Sequence, residues 1–357
     1  MSEVKMTSLQ RVLTTLGHQE PDRVPLFLLL TMHGAKELGL SIKDYFSRAE
    51  NVVEGQLRLR EKYRHDCYYS FFYGPIEVEA WGGDVIYVED GPPNSGRPFI
   101  RDAAQIKSLV APDINVPCLR KVLEATASIK ATMPDEAPII GTVMSPFSLP
   151  AMQMGFPAYL NLIYEQRDLF WKLIEINEEF CVQWANAQIE AGATAICYFD
   201  PVSSPTIIGR DDYLKTGYEI AQRTIARING PTATHLASGI GLPIIADVAK
   251  TGTAMVSASA LEPLTTVKSA CRRKLTVLGN LNGIEMARWT PEQAEEKVKS
   301  AIAAAGAGGG FILSDNHGEI PWQVSDEVLL AISDAVHRWG TYPLSLKNSS
   351  KDADAIQ

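Results

Sequence analysis

Eight short apolar runs, separated by longer helical segments, are the feature of this sequence that most limits its fold. The runs are continuously apolar, which is typical of parallel strands buried on both faces. Eight strands that alternate with helices predict an α/β protein of the (β/α)₈ TIM-barrel type. An open doubly wound sheet is the structural rival, but no G-x-G-x-x-G motif follows any strand. The predicted strands are residues 24–31, 67–72, 138–143, 195–199, 232–236, 254–257, 276–278 and 310–313.

The helical segments and the additions to the barrel can also be placed from the sequence. Thr290, Pro291 and Glu292 form a helix start, with a capping hydroxyl, a proline in the first turn and an acid near the positive end of the dipole. A helical lead-in precedes the first strand. An insertion over about 76–116 follows the second strand and begins with a predicted β-hairpin at 77–90, turning at Gly82-Gly83. The predicted helices are residues 53–62, 118–131, 169–191, 212–227, 264–272, 291–305 and 326–339.

The remaining organisation follows from composition. A single barrel domain is expected over 1–346, followed by a disordered polar tail at 347–357. The net charge is −9 and basic residues are not clustered, which disfavours nucleic acid and anionic membranes as partners. The longest apolar run has about nine residues, whereas a membrane span needs roughly 20. Five scattered cysteines without a C-x-x-C pair indicate a reducing compartment, so a cytoplasmic enzyme is expected.

Candidate metal ligands fall where the strands of a barrel end, which is where active sites of this fold lie. His235 ends the fifth predicted strand, Glu262 follows the sixth and His317 follows the eighth. Two imidazoles and a carboxylate leave one position of a tetrahedral zinc ion open, the ligand count of a catalytic site. Asp315 and Glu319 are reserve ligands or acids that orient an imidazole. Alternatively, each histidine only satisfies a hydrogen bond in its own loop.

Other polar and aromatic residues near strand ends complete the predicted site. Asp200 follows the fourth strand and either faces the cavity or caps the turn at Pro201. In a metal-free site, Asp200 and His235 are the candidates for acid–base catalysis. Because Tyr198 and Phe199 are adjacent on a strand, one of them points inward. The residues expected to line a pocket for the substrate are Phe72, Tyr73, Met144, Phe147, Tyr198 and His33.

Several segments give the chain a family resemblance. The opening SLQRVLTTLGHQEPDRVPLF resembles the start of proteins of the uroporphyrinogen decarboxylase superfamily, and most of all its cobalamin-linked methyltransferase branch. The segments AQIEAGATAI, LGNLNG and NHGEIP are similar to the same superfamily, and the resemblance covers roughly residues 6 to 342. It implies a barrel enzyme that works with a corrinoid-binding partner protein and a small-molecule methyl donor. A homodimer is plausible for the superfamily.

Departures from the superfamily patterns favour one branch. The decarboxylases carry an arginine-rich loop after the first strand and an aspartate after the second, where this chain has LTMHGAKEL and Gly74-Pro75. Acetate side chains of a porphyrinogen need guanidinium groups, so decarboxylation is disfavoured. The methylcobamide:coenzyme M methyltransferases hold zinc with a His-x-Cys and a later Cys. The resemblance aligns these positions with His235, Ala237 and His317.

Nitrogen and oxygen ligands leave zinc a harder Lewis acid than thiolates do, and a harder ion suits an ether oxygen. The resemblance therefore implies an O-demethylase component that moves a methyl group from a methoxylated aromatic compound to a corrinoid protein, with zinc polarising the ether. In this mechanism Asp315 or Glu319 is the catalytic acid that protonates the phenolate. Three alternatives stay open: a methylcobamide:thiol methyltransferase, a lyase of the decarboxylase kind, and a non-catalytic binding protein on an enzyme fold.

Overall fold

The strands form one ring of parallel neighbours. The computed structural model describes residues 6–345, and its strands are β1 Tyr68–Tyr69, β2 Val85–Ile86, β3 Asn94–Ser95, β4 Ile139–Met144, β5 Ala195–Phe199, β6 Thr232–His235, β7 Met255–Ser257, β8 Thr276–Leu278 and β9 Phe311–Ile312. All except β2 and β3 belong to a parallel sheet in the order β1-β4-β5-β6-β7-β8-β9. The predicted strand ends therefore lie around one opening.

An extended segment around Leu26 closes the ring between β9 and β1. Leu26 pairs in parallel with Leu313, and the N–H of Phe27 donates to the carbonyl of Leu313 at 2.8 Å. On the other side, the N–H of Asp66 donates to the carbonyl of Leu26 at 2.7 Å. Pro25 has no N–H, so a regular ladder cannot run through this segment. The expected TIM-barrel fold is confirmed, with its first predicted strand present as this irregular segment.

The interior of the barrel is a layer to which every position of the ring contributes. The lead-in helix Ser8–Leu16 packs its buried Val12 against this layer. The N–H of Leu9 in that helix donates to the carbonyl of Glu136, just before β4, so the helix lies at the amino-terminal end of the barrel. The opposite, carboxyl end is left for a site. The residues of the layer are Phe27, Tyr69, Ile140, Ala195, Ala233, Met255, Leu278 and Ile312.

The helices of the outer layer agree with the sequence except at one place. The predicted helix 212–227 is divided into Arg210–Leu214 and Gly217–Ile225, because Thr216 leaves the helical region at φ −140° and ψ −92°. The other outer helices are Ala49–Tyr63, Pro117–Thr132, Arg167–Ala191, Leu264–Cys271, Pro291–Ala305 and Asp326–Trp339. Shorter helices are Gly34–Leu38, Ile42–Tyr45, Ile76–Ala80, Leu149–Met154, Phe156–Glu165, Ile245–Val248 and Gly283–Met286, with 3₁₀ turns at Ala103–Ser108, Pro201–Ser203 and Leu242–Ile244.

The inserted hairpin is present after β1, but its strands differ from the predicted ones. The segment Ile76–Ala80 is a helix, and Gly82 at φ +80° follows it. The antiparallel pair is β2 with β3, in which Val85 faces Ser95. Val78 and Ala80 alternate with two glutamates in the sequence, and one short helical turn also satisfies this pattern.

Two further predictions concern the polar tail and the absence of a membrane span. The polar tail predicted at 347–357 lies outside the described residues. Across residues 6–345, no helix has both the length and the apolarity needed to cross a bilayer.

Candidate functional site

A cavity of about 570 Å³ opens at the carboxyl end of the barrel. This volume lies in the range of small-molecule sites, roughly 300–1,000 Å³. Four of the residues predicted to bind metal or to act as acids line it, namely His235, Asp315, His317 and Glu319. No lysine or arginine is among the described residues that line it. The apolar part of the wall includes Phe71, Phe72, Tyr73, Met144, Met152 and Phe199.

His235 is a neutral imidazole in the wall of the cavity. It is the last residue of β6, and its ring stacks on Phe199 with the ring centroids 5.2 Å apart. The backbone N–H of Ala237 donates to its Nδ1 at 3.0 Å. Burial, with a smaller contribution from the neighbouring His317, lowers the pKa of His235 to about 4. Because Nδ1 accepts, the proton of the neutral ring is on Nε2.

The loop after β9 is held by one buried carboxylate. Oδ2 of Asp315 accepts the backbone N–H of His317 at 3.0 Å and that of Gly318 at 3.2 Å. Burial raises the pKa of Asp315, and these hydrogen bonds oppose the shift. Nδ1 of His317 contacts the hydroxyl of Ser238. Gly318 has φ +115°, and a Cβ there would lie 2.8 Å from Cε2 of Phe199, so only glycine lets this loop approach the ring.

Glu319 is a half-buried acid in the wall of the cavity. Its Oε1 accepts the backbone N–H of Thr31 at 3.1 Å and that of Met32 at 3.3 Å, and its Oε2 contacts the Thr31 hydroxyl. Burial outweighs these contacts and raises the pKa of Glu319 to about 8. The group is therefore an uncharged acid at neutral pH, able to give up a proton.

The predicted substrate contact of His33 is not made. Nδ1 of His33 lies 3.9 Å from Oε1 of Glu319, and its ring packs near Trp322 with the centroids 5.9 Å apart. His33 is buried behind the cavity and does not line it. It is thus a neighbour of the acid, at a distance too long for a hydrogen bond.

The three predicted zinc ligands do not come together in this structure. Both oxygens of Glu262 accept the N–H of Gly241, at 3.1 and 3.0 Å, and Oε1 also accepts that of Leu242 at 2.7 Å. Glu262 does not line the cavity, and within residues 6–345 no three or more His, Cys, Asp or Glu side chains are grouped to hold a metal. The Nε2 atom of His235 also carries a proton, whereas a zinc ligand needs a free lone pair. These residues therefore do not fit the predicted three-ligand site, and zinc stays a prediction.

Asp200 lies outside the cavity and holds a turn together. Its carboxylate accepts the hydroxyls of Ser145 at 2.5 Å, Ser148 at 2.7 Å and Ser203 at 2.5 Å. The group is buried, and burial raises its pKa while the three hydroxyls oppose that shift. Of the two interpretations of Asp200, the structure supports the one in which it stabilises the turn after β5.

Two predicted aromatic contacts belong to the core instead. Phe147 packs edge-on against Phe170, with the ring centroids 6.3 Å apart. Tyr198 is buried in a core cluster with Trp184 from the outer helix, so its neighbour Phe199 is the side chain that faces the cavity. Neighbouring side chains on a strand point to opposite faces, so one of the two had to face the outer helices. That side chain is Tyr198, which packs in the apolar layer between the strand and the helices. The predictions for Phe72, Tyr73 and Met144 agree with their positions in the wall.

Glu77 is a wall residue that the sequence analysis did not identify. It was assigned to a hairpin, but it lies in the short helix after β1 and is buried against the cavity. One carboxylate oxygen, Oε1, accepts the N–H of Met144 at 2.8 Å, and Oε2 has no partner within the described chain. Burial raises the pKa of Glu77 to about 8. A glutamate between two apolar residues just after a strand end was the signal available in the sequence.

Comparisons with known proteins agree with this architecture. The solved structure of a methyltransferase from Methanosarcina mazei superposes with a TM-score of 0.82 at 21% identity, covering 93% of this chain and 99% of that chain. The uroporphyrinogen decarboxylase of Mannheimia succiniciproducens is 27% identical over 94% of this chain and 98% of its own length. The methylcobamide:CoM methyltransferase MtaA of Methanosarcina barkeri is 29% identical, but over only 37% of this chain and 38% of that protein.

The family of this protein follows from a family model that matches the whole barrel. The family model described as uroporphyrinogen decarboxylase (URO-D) matches residues 7–339, from the lead-in helix to the last outer helix. This protein belongs to the uroporphyrinogen decarboxylase family.

Proposed function

We propose that this protein is a corrinoid-dependent methyltransferase that moves a methyl group from a methoxylated aromatic compound to the corrinoid of a partner protein. The observation that carries the proposal is the cavity, which combines an aromatic wall, no lysine or arginine among its described lining residues, and an uncharged acid in that wall. The similarity to the methylcobamide:CoM methyltransferase MtaA and to the M. mazei methyltransferase supports methyl transfer.

The same cavity disfavours decarboxylation of a porphyrinogen. Such a substrate carries several acetate groups, which need charged donors in the wall. Gly74 and Pro75 line the cavity where the decarboxylases are expected to have an aspartate. The wall instead suits a neutral ring, because aromatic and thioether side chains gain contact area without charge pairing.

Residues of the wall can assist the departure of an oxygen leaving group. The partner's cobalt(I) corrinoid supplies the nucleophile that takes the methyl carbon, and the electrons of the broken C–O bond stay on oxygen. Nε2–H of His235 is positioned in the wall to donate to that oxygen as negative charge develops. Glu319 holds a proton at neutral pH and transfers it to the oxygen, giving a free phenol. Asp315 orients the loop that carries His317.

A second candidate function is methylation of a thiol from a methylated corrinoid. The similarity to the MtaA proteins, which are methylcobamide:CoM methyltransferases, favours this function. In that direction a thiol is the methyl acceptor, and no phenol is formed. The sequence prediction of zinc applies to either direction, and no step above depends on a metal.

Visible spectroscopy of cobalamin separates the two functions. We expect 2-methoxyphenol and reduced cobalamin, incubated with the enzyme, to give methylcobalamin and catechol. The Tyr198→Phe variant serves as a matched control, because that side chain faces away from the cavity. Transfer from methylcobalamin to coenzyme M, with no reaction of any methoxylated aromatic compound, would contradict the proposed function and favour the thiol enzyme.

A further inference from the structure

Glu77 lines the cavity, and one oxygen of its carboxyl group is buried without a hydrogen-bond partner in the described chain. Its side chain is only 2% exposed, and its Oε1 is occupied by the N–H of Met144. Its Oε2 is buried and has no hydrogen-bond partner within the part of the chain that the structure describes. Buried polar atoms in folded proteins nearly always have a partner, so this exception calls for an explanation.

The position of the proton on Glu77 follows from its partner. An oxygen that accepts a backbone N–H is the carbonyl oxygen of a protonated carboxyl group, so the proton is on the other oxygen, Oε2. Burial is the main cause that raises the pKa of this group to about 8, and the hydrogen bond from Met144 opposes the shift. At neutral pH the group is therefore a donor without an acceptor.

The other two acids of the cavity differ from Glu77 in this respect. Asp315 and Glu319 lie on the loop after β9, and neither has a buried side-chain oxygen without a hydrogen-bond partner. Glu77 lies in the helix after β1 and contacts β4, at another part of the ring. Glu77 therefore belongs to a different part of the cavity wall from His235 and Glu319.

We propose that Glu77 is a specificity-determining residue, which donates a hydrogen bond from Oε2 to a second oxygen substituent on the aromatic ring of the substrate. The inference rests on the proposed function, because it assumes an aromatic methyl ether. It adds the substrate class: a methoxylated ring with a further hydroxyl or other oxygen acceptor is bound in preference to a ring that lacks one. Donation to a ligand supplies the partner that Oε2 lacks.

Binding of methoxybenzene and of 2-, 3- and 4-methoxyphenol, measured by calorimetry without corrinoid, tests this inference. We expect the wild type to bind at least one methoxyphenol about tenfold more tightly than methoxybenzene, and Glu77→Leu to lose this preference. Glu77→Gln is the matched variant. Its amide oxygen can accept from Met144 and its N–H₂ group can donate in place of the acid, so the preference is kept.

The pH dependence gives a second readout that does not need the Leu variant to fold. With dimethoxybenzenes, whose second oxygen can only accept, the wild-type preference over methoxybenzene falls as pH rises through about 8, because the carboxylate formed there has no proton to donate. In Glu77→Gln the preference stays constant from about pH 6 to about pH 9, since an amide does not titrate in this range.

The outcomes distinguish this inference from the proposed function. Binding of the four compounds with no preference, a preference that survives in Glu77→Leu, or a wild-type preference independent of pH overturns the role of Glu77 and leaves aromatic methyl transfer standing. Failure of all four compounds to bind the wild type overturns the aromatic substrate itself, and the assignment of Glu77 with it.

Discussion

The backbone N–H of Ala237 donates to Nδ1 of His235 at 3.0 Å, and this one contact decides which nitrogen of the ring faces outward as a donor. A neutral imidazole has one donor and one acceptor nitrogen, so Nε2 bears the proton. Ala237 has φ +52°, in the left-handed region that non-glycine residues seldom adopt. The same residue stands where zinc-binding relatives of the methyltransferase branch are expected to have a cysteine.

The first prediction concerns the tautomer of His235. We expect ¹⁵N spectra of the histidine rings to show His235 with its proton on Nε2 at pH 7. The ring should gain a second proton only near pH 4, because burial lowers its pKa. Replacement by Gln supplies the assignment of the signal. A proton on Nδ1 in the wild type would mean that Nε2 is free to bind a metal and would contradict this prediction.

The second prediction is the pH dependence of methyl transfer. Glu319 is the uncharged acid below its pKa of about 8 and loses its proton above it, so the rate should fall as pH rises through that value. We expect Glu319→Gln to lower the rate of methyl transfer about a hundredfold and to remove this alkaline decline. Rates with reduced cobalamin and 2-methoxyphenol over a range of pH provide the measurement. An unchanged profile in the variant would assign the acid to another group.

The third prediction separates a structural role of Glu262 from metal binding. Its carboxylate accepts three hydrogen bonds from the amides of Gly241 and Leu242. Glu262→Ala leaves buried donors unpaired and should lower the free energy of unfolding by roughly 1–3 kcal/mol. The metal content after purification, measured by emission spectroscopy, should equal that of the wild type. Loss of bound zinc in this variant, with His317→Ala behaving the same way, would restore the predicted ligand set.

The fourth prediction tests Asp200 as a structural residue. Removal of its carboxylate in Asp200→Ala deprives three buried hydroxyls of an acceptor, and we expect the free energy of unfolding to fall by about 3 kcal/mol. Ser203→Ala removes one of these hydroxyls and should cost about 1 kcal/mol. Urea denaturation measures both values. If Asp200→Ala kept its stability but lost methyl transfer, the carboxylate would have to act on the substrate.

The fifth prediction uses two neighbours on β5 that point in opposite directions. Phe199 faces the cavity and stacks on His235, whereas Tyr198 is buried among the outer helices. Phe199→Leu should weaken binding of a methoxyphenol about fivefold, because an aromatic contact contributes roughly 0.5–1.5 kcal/mol. Tyr198→Phe should leave the affinity unchanged. Calorimetric titration of both variants with the methoxyphenol measures the two affinities. An equal loss of affinity in both would show that β5 does not have this orientation.

Much of the fold was predictable because its signals are local in the chain. The helix at Pro291–Ala305 starts where its capping residue Thr290 indicates, and the continuous apolar runs mark strands buried on both faces. The bounds of the inserted hairpin were not predictable, because two apolar residues two positions apart fit a strand and a helical turn equally well. The positions of His235, Asp315, His317 and Glu319 followed from the rule that barrel sites lie at strand ends.

The sequence by itself determined the barrel, its family and the strand ends that surround the cavity. Only the tertiary structure decided what the polar side chains there do. Glu262 accepts hydrogen bonds from backbone amides, and Asp200 accepts them from serine hydroxyls. These partners come from other loops, so only folding brings them close enough to occupy the carboxylates. The position of Glu77 in the cavity wall also depends on folding, because the short helix after β1 places it there. A carboxyl group acts on a ligand only where the folded chain leaves it a free oxygen, and no spacing along the sequence contains that information.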